Sequence, residues 1–320
     1  MTRTGTRTRA GGLLSVAVAC MLTVTSCGAT SQPSVTEDDH RDKVDPAKPS
    51  AATGYVRVVA AGDIACKPGS RARPRKCRQA ATAKVAARMR PQVVLPLGDT
   101  QYERGTLRQY RRSYARSWGN LLSRTRPTIG NHEYGTPGAR GYYSYFWSRQ
   151  PGPPGYYRTT TGSWAFYHLN SNCAFVSCST QAKWLDQQMT ARPARCTLVT
   201  IHHPRYSSGT YGNQAFVKPL WDVAYKHRND LVLSGHEHLY ERFQPMNGAG
   251  RIEPSRGIQS FIVGTGGKNL YPFGTRKTGS AYCQNRLFGV LVVNLHDGWY
   301  SWAFKAVTGR ILDRGSRSCV

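Results

Sequence analysis

Acidic side chains are scarce. The 320 residues hold 17 Asp+Glu against 44 Lys+Arg, a formal charge of +27, and 33 of those cations are arginine. A field of that sign favours anionic partners such as nucleic acid, phosphorylated polymers or acidic lipid headgroups, but it names no activity. Long apolar runs are missing too. None reaches the roughly 18 residues of a membrane-spanning helix, which argues against an integral membrane protein. No internal repeat occurs, and the cysteine spacings match no zinc cluster, so the thiols read as structural. The 39% hydrophobic and 11% aromatic content suffices for a core and rules out wholesale disorder. The length allows two domains, and one large α/β domain fits it as well.

The N-terminus reads as an address. Residues 1–9 carry Arg3, Arg7 and Arg9 without an acid, and Ala10 to Val24 is a short apolar stretch ending in Val24-Thr25-Ser26-Cys27-Gly28. This pattern predicts a secretory signal over residues 1–26. Cys27 sits where the lipobox of bacterial lipoproteins places its lipidated thiol. That likeness implies a lipid anchor on the extracytoplasmic face of the cell membrane. The alternative is an ordinary signal peptide and a secreted protein. Residues 27–52 are mostly polar and read as a flexible tether. The remaining folded domain, residues 53–320, keeps 38 basic and 12 acidic residues, so the charge belongs to the folded body. It holds Cys66, Cys77, Cys173, Cys178, Cys196, Cys283 and Cys319. The close pairs Cys66/Cys77 and Cys173/Cys178 are the natural disulfides, and the odd number leaves either one thiol or one further pairing open.

Five times a short apolar run ends in a glycine or polar turn bearing Asp, Asn or His. Val56–Ala61 leads to Gly62-Asp63, Val93–Leu97 to Gly98-Asp99-Thr100-Gln101-Tyr102, and Pro127–Ile129 to Gly130-Asn131-His132-Glu133. Thr197–Ile201 leads to His202-His203-Pro204, and Leu231–Ser234 to Gly235-His236-Glu237-His238. Such runs read as buried strands. Helical patterns lie between them over Arg78–Arg90, Thr106–Ser123, Gln181–Arg192 and Gln214–His227. Ligands in such βαβ arrangements bind beyond the strand carboxyl ends, where a glycine before each donor lets the chain turn sharply. Ser260–Val263, Leu287–Leu295 and Trp299–Val307 read as later strands without long helices between them, with Asp297-Gly298 as a hairpin turn. The expected fold is α/β: two packed sheets flanked by helices.

Asp63, Asp99, Tyr102, Asn131, His202, His236 and His238 supply oxygen and imidazole donors but no thiolate. That mixture suits iron, zinc or manganese. Seven donors exceed one tetrahedral ion and match two ions sharing a bridging carboxylate, which clamp a phosphoryl group and ionise a water. No Ser or Cys is placed as a nucleophile, so hydrolysis by attack of a metal-bound hydroxide needs no covalent intermediate.

In these five blocks the chain resembles the calcineurin-like metallophosphoesterases, whose signature runs GDxx, GDxxY, GNH[DE], H, GHxH. Tyr102, three residues after Asp99, and the run Gly235–Arg242 are similar to the purple acid phosphatases. The resemblance implies a double β-sheet sandwich flanked by helices and a centre of two metal ions, ferric iron with zinc, manganese or ferrous iron. It implies that Asp63, Tyr102 and His238 hold the first metal, Asp99 bridges, and Asn131, His202 and His236 hold the second. His132 would sit over the substrate phosphate and assist the leaving group. Glu133, His203 and Glu237 would support the ligands by hydrogen bonding.

The implied activity is acid-phosphatase-like hydrolysis of phosphate monoesters. A phosphodiesterase or nucleotidase using the same centre, and a non-catalytic envelope protein gripping phosphate-rich polymer, are the rivals. The substrate would be a phosphorylated small molecule or an anionic polymer, without specific nucleic-acid recognition. No segment of this chain reads as the extra N-terminal β-sandwich of the plant enzymes. Asn213 stands near where some relatives carry a further substrate-contacting histidine, so substrate specificity does not carry over. His40, His168, His227 and His296 lie outside any motif and read as structural. The aromatics of Tyr142–Tyr157 read as packing or cleft rim, and Gly264-Thr265-Gly266-Gly267, lacking a Walker lysine, as a tight turn near the site.

Overall fold

The computed structural model describes residues 54–320; the signal segment, Cys27, the tether and His40 lie outside the described residues. The strands are β1 (Val56–Ala61), β2 (Val93–Pro96), β3 (Tyr157–Thr161), β4 (Trp164–His168), β5 (Cys196–Thr200) and β6 (Leu231–Ser234). They continue with β7 (Tyr240–Phe243), β8 (Gln259–Val263), β9 (Ser280–Gln284), β10 (Gly289–Leu295), β11 (Trp299–Ala306) and β12 (Ile311–Ser318). Helices α1 (Gln79–Arg88), α2 (Leu107–Arg112), α3 (Arg140–Tyr145), α4 (Cys178–Ala191) and α5 (Lys218–Lys226) connect them.

The strands form a five-stranded sheet, ordered β12-β11-β10-β1-β2, and a seven-stranded sheet, ordered β3-β4-β5-β6-β8-β7-β9. Within the larger sheet β4, β5, β6 and β8 run parallel, so their carboxyl ends share one edge. These strands alternate between two cores. Phe166, Leu198, Leu233 and Phe261 face inward with Leu95, Leu291 and Phe304 of the other sheet. Their neighbours Tyr167, Val199, Val232 and Ile262 pack against Leu185 and Met189 of α4 and Leu220 and Trp221 of α5. Burial of both faces explains why β5, β6 and β8 read as apolar runs, while the equally buried β4 was not anticipated. On the other side Ala83 and Ala86 of α1 join the first core. The order is helices, sheet, sheet, helices.

Buried Asp313 on β12 ties the sheets together. It accepts bidentate bonds from Arg242 of β7 at 2.8 and 2.9 Å and a third from Tyr240 Oη at 2.7 Å. Of the 12 carboxylates in the described residues, seven are buried: Asp63, Asp99, Glu133, Asp230, Glu237, Glu241 and Asp313. Most of the acids are therefore inside, and basic residues far outnumber acids on the outer surface.

Two expected elements differ. Pro127–Ile129 makes no ladder strand; the stretch from Thr125 to Thr128 runs along β2 and Leu97 through isolated bridges at Val94–Thr125 and Leu97–Thr128. The helix expected over Thr106–Ser123 breaks into α2 and two short 3₁₀ turns, Tyr114–Arg116 and Trp118–Arg124. Serines cause the breaks: Ser113 Oγ donates to the Cys66 carbonyl at 2.7 Å, and Ser117 Oγ donates to the Tyr114 carbonyl at 3.1 Å. Three disulfides join described residues: Cys66–Cys77, Cys173–Cys178 and Cys196–Cys319. The last spans 123 residues, beyond the reach of any spacing argument. No helix among the described residues is long and apolar enough to cross a membrane.

Candidate metal centre

Three of the donors sit in left-handed backbone: Asp63 (φ 58°), Asp99 (φ 46°) and His236 (φ 70°). Non-glycine residues hold that conformation at a cost on the order of 1–3 kcal/mol each, and such strain clusters at functional sites. Gly98 turns left-handed as expected (φ 84°). Gly235 serves a different need, because a Cβ there would stand 2.8 Å from Asp63 Oδ2. The left-handed turn thus falls on the donor, and glycine supplies the room beside it.

One half of the centre is anionic. The Tyr102 hydroxyl lies 2.8 Å from Asp63 Oδ1, 3.1 Å from Asp99 Oδ2 and 3.0 Å from His238 Nε2. His238 Nε2 stands 3.2 Å from Asp63 Oδ1, while its buried Nδ1 has no hydrogen-bond partner. Backbone amides hold the outer carboxylate oxygens: His236 N donates to Asp63 Oδ2 at 2.9 Å and His132 N to Asp99 Oδ1 at 2.8 Å. The inner oxygens are left facing the phenol. Burial pushes the Tyr102 phenol well above its ordinary range, and the two carboxylates push it further.

The other half is rich in imidazole. His202 Nδ1 donates to the Leu97 carbonyl at 2.8 Å, since that oxygen can only accept. Its Nε2 is thereby directed to Asn131 Oδ1 at 3.1 Å and Asp99 Oδ2 at 3.4 Å. Burial alone would lower His202, but the Asp99 carboxylate reverses this and raises it to about 9. Burial also works on Asp99, in the upward direction; His202 and His132 outweigh it and hold the carboxyl far below the usual range. Burial, together with charge on His202, lowers His236 to about 4 and His203 to about 2. The His203 and His236 rings lie 4.2 Å apart, and His203 Nδ1 meets Ser171 Oγ at 2.7 Å.

The donor set fits a cation. Two buried carboxylates and a phenol face one another, offset by imidazoles and by Lys268 Nζ 4.3 Å from the Tyr102 ring centre, and the upward pull of Asp99 on His202 shows that the set attracts positive charge. Two groups of side chains, Asp63–Asp99–His202 and His202–His203–His236, each bring one ligand atom per residue within 4.8 Å of the others. A third such group, Cys196–Asp230–Cys319, is spent on a disulfide.

Supporting residues fix these turns. Buried Glu133 accepts from the amides of Asp99 at 3.0 Å, Thr100 at 2.8 Å and Gly130 at 2.8 Å, and from Tyr110 Oη at 3.0 Å. It thus clamps the second donor turn to the third. Glu237 accepts from the amides of Tyr211 at 2.6 Å and Gly212 at 2.9 Å, and burial raises it to about 7. His132 Nδ1 donates to the Glu103 carbonyl at 2.6 Å, leaving Nε2 on the open side, 3.9 Å from Asp99 Oδ2. Asn213 stays in its own loop, accepting from the Ser207 amide at 2.9 Å. The Gly264–Gly267 turn props the first donor turn: Gly266 N donates to the Gly62 carbonyl at 2.9 Å and Lys268 N to the Asp63 carbonyl at 2.9 Å. His168 bonds Thr159 and Thr200, His227 bonds Asp186, and His296 stacks on Trp299, all away from the centre. Tyr142, Phe146 and Tyr157 are buried packing.

Sequence reasoning missed Tyr271, which stacks on His238 with ring centroids 3.9 Å apart, and Lys268, whose Nζ lies 4.3 Å from the Tyr102 ring centre. The glycine turn before Lys268 was the one available signal. Tyr271 had none.

The sequence model of the calcineurin-like phosphoesterase family matches residues 56–240, the stretch that carries all seven donors. The chain belongs to the calcineurin-like phosphoesterases. Its fold is shared by the purple acid phosphatase PPD1 of yellow lupin (Lupinus luteus) seeds, with a TM-score of 0.72 and 18% identity over 83% of this chain and 54% of that one. The phosphoesterase described here therefore spans about half the length of the lupin enzyme. GAP50, the anchor in the inner membrane complex of Plasmodium, superposes with a TM-score of 0.65 and 16% identity over 84% of this chain and 90% of that one. PhoD follows at 0.52 and 15%, over 85% and 70%. At these identities the likeness is one of fold. No curated protein matches the sequence. The family's fold implies a two-metal centre, and the clustered donors supply candidate ligands for it.

Proposed function

We propose that this calcineurin-like phosphoesterase is an exported hydrolase of phosphate monoesters. The observation that carries the reading is the position of Asp99: one oxygen reaches both Tyr102 Oη at 3.1 Å and His202 Nε2 at 3.4 Å, and so faces both halves of the centre. Asp63, Tyr102 and His238 would hold one ion, Asn131, His202 and His236 the other, with Asp99 between. When bound, the metals would neutralise phosphoryl oxygens and lower the pKa of a water. A phenolate ligand beside two carboxylates suits a hard ferric ion, and the imidazole half suits Zn²⁺, Mn²⁺ or Fe²⁺. His203, anchored by Ser171, packs its ring against that of His236.

The chain's own residues supply the rest. His132 is partly exposed and anchored through Nδ1, so Nε2 is the atom able to hold a proton for a leaving alkoxide. Glu133 fixes the spacing between Asp99 and the Asn131–His132 turn. The acid-poor surface would draw phosphorylated substrate toward the centre. Export and a Cys27 lipid anchor are supported by the N-terminal pattern, and three disulfides are the chemistry of an oxidising compartment. GAP50 carries the same fold and is described as an anchor, so the fold alone does not require catalysis. The complete donor set and His132 favour an enzyme here.

Metal analysis, visible absorption and hydrolysis of p-nitrophenyl phosphate and its bis-ester test this reading together. Two metals per chain, a purple band and faster cleavage of the monoester are expected. His132→Ala should keep both metals and lose about 10²–10⁴-fold in turnover. A protein holding two metals that cleaves neither ester would sink the proposal.

A further inference from the structure

Seven large apolar or aromatic side chains stand exposed among the described residues, and three of them gather at the edge of the metal centre. Tyr211 is 55% exposed with its ring 4.9 Å from that of His236. Phe216 is 44% exposed with its ring 5.3 Å from that of His203. Phe175 is 61% exposed and lies flat on Tyr134, two residues beyond His132, with centroids 4.3 Å apart and planes within 5°. Tyr271, stacked on His238, continues the belt at 5.9 Å from Tyr211.

These rings are held outward. The Cys173–Cys178 disulfide closes the loop bearing Phe175, and Cys173 Sγ lies 4.0 Å from the Phe216 carbonyl, so the two phenylalanine segments touch. Tyr134 Oη accepts from Asn170 Nδ2 at 2.8 Å, which fixes the ring under Phe175. Glu237 grips the amide of Tyr211 at 2.6 Å. Phe216 sits in the short turn Ala215–Val217, anchored by buried Val217. Apolar rings on rigid backbone beside an ionic centre expose surface that burial would favour. Single exposed aromatics are ordinary, but a contiguous patch marks a binding surface.

We infer that this belt is a subsite for a planar aromatic group joined to the phosphate, as in aryl and nucleoside phosphates. The inference rests on the phosphoester reading of the centre and adds the chemistry of the leaving group. Ring faces and edges recognise a flat π system through offset or edge-on contact, which an aliphatic ester cannot offer. One stacked base is worth roughly a tenfold or greater gain in affinity, and the gain tolerates differences among ring types. The belt lies beside the imidazole half of the centre, within reach of a group joined to a phosphate held there.

The test uses ligands that cannot be hydrolysed, so binding is read apart from turnover. Calorimetric titration of the metal-loaded protein with phenylphosphonate and methylphosphonate should give about tenfold or tighter binding of the phenyl compound. The double variant Phe175→Leu/Phe216→Leu should bring the two within about threefold of each other, with an unchanged melting temperature because both side chains are exposed. Phe175→Tyr should keep the preference. Equal affinities in the parent protein, no binding of phenylphosphonate, or a gap that survives the double variant would each overturn the inference. Hydrolysis of p-nitrophenyl phosphate by the same preparation decides the phosphoesterase reading separately.

Discussion

Strands β5 and β6 are built alike along their length and differ at their two ends. At the amino end Cys196 bonds Cys319, and Asp230 accepts from the amides of Thr197 and Val320, both at 2.7 Å. Each of those groups is satisfied within the chain, and together they staple the C-terminus to the sheet. At the carboxyl end His202 and His236 face Asp63 and Asp99 across strained backbone, with His132 and His238 also beside the carboxylates. One end holds the scaffold, and the other holds donors that the scaffold does not satisfy. Open α/β sheets bind ligands beyond the carboxyl ends of their strands for this reason.

Substitutions at either end should separate these roles. Asp99→Ala has the largest expected effect, a loss of about a thousandfold or more in kcat/KM, because it removes the carboxylate shared by both halves. Metal content should fall with it while the metal-free protein melts at or above the parent temperature. Full activity with two bound metals would erase the distinction between the ends. Next in size is the double variant Cys196→Ser/Cys319→Ser. Opening a loop of 123 residues should cost about 5 kcal/mol in urea unfolding. The kcat of the folded fraction should not change; a matching drop would mean that the staple also shapes the centre.

Asp230→Asn is the smallest. Burial raises Asp230 from 3.8 to about 6, so the folded state keeps this proton at pH values where the unfolded chain has lost it. Stability therefore falls as pH rises from about 4 to about 6 and then levels off. The parent protein should lose about 2 kcal/mol more than the Asn variant across that window. Parallel stability curves would show that the carboxyl group does not titrate in this way.

Much of the centre was legible because its signals are local. Asp63, Asp99, Asn131, His202 and His236 each follow a buried run within two residues, and Tyr102 and His238 lie three and two residues beyond Asp99 and His236. The strand faces were legible as apolar runs, whereas their assignment to two separate cores depended on partners far away in sequence. Strand β12 was missed because an edge strand carrying Asp313, Arg314 and Arg317 reads as polar, and β3 was missed for the same reason. Tyr271, Lys268 and the Cys196–Cys319 bond reach the site or the scaffold across long separations, and nothing in local spacing encodes them. The expected tight turn at Gly264–Gly267 does lie against the first donor turn, but its work is to carry Lys268 and to brace Asp63.

Burial of seven of the 12 carboxylates also bears on how the molecule behaves in bulk. Guanidinium groups do not lose their proton at any pH a protein tolerates. With few carboxylates left outside, almost nothing on the surface changes charge between mildly acidic and mildly alkaline solution. Electrophoretic mobility should be nearly flat over that span, and a cation exchanger should hold the protein throughout it. The surface potential acts largely as a fixed property of the fold, set by guanidinium groups, while most of the carboxylates lie inside.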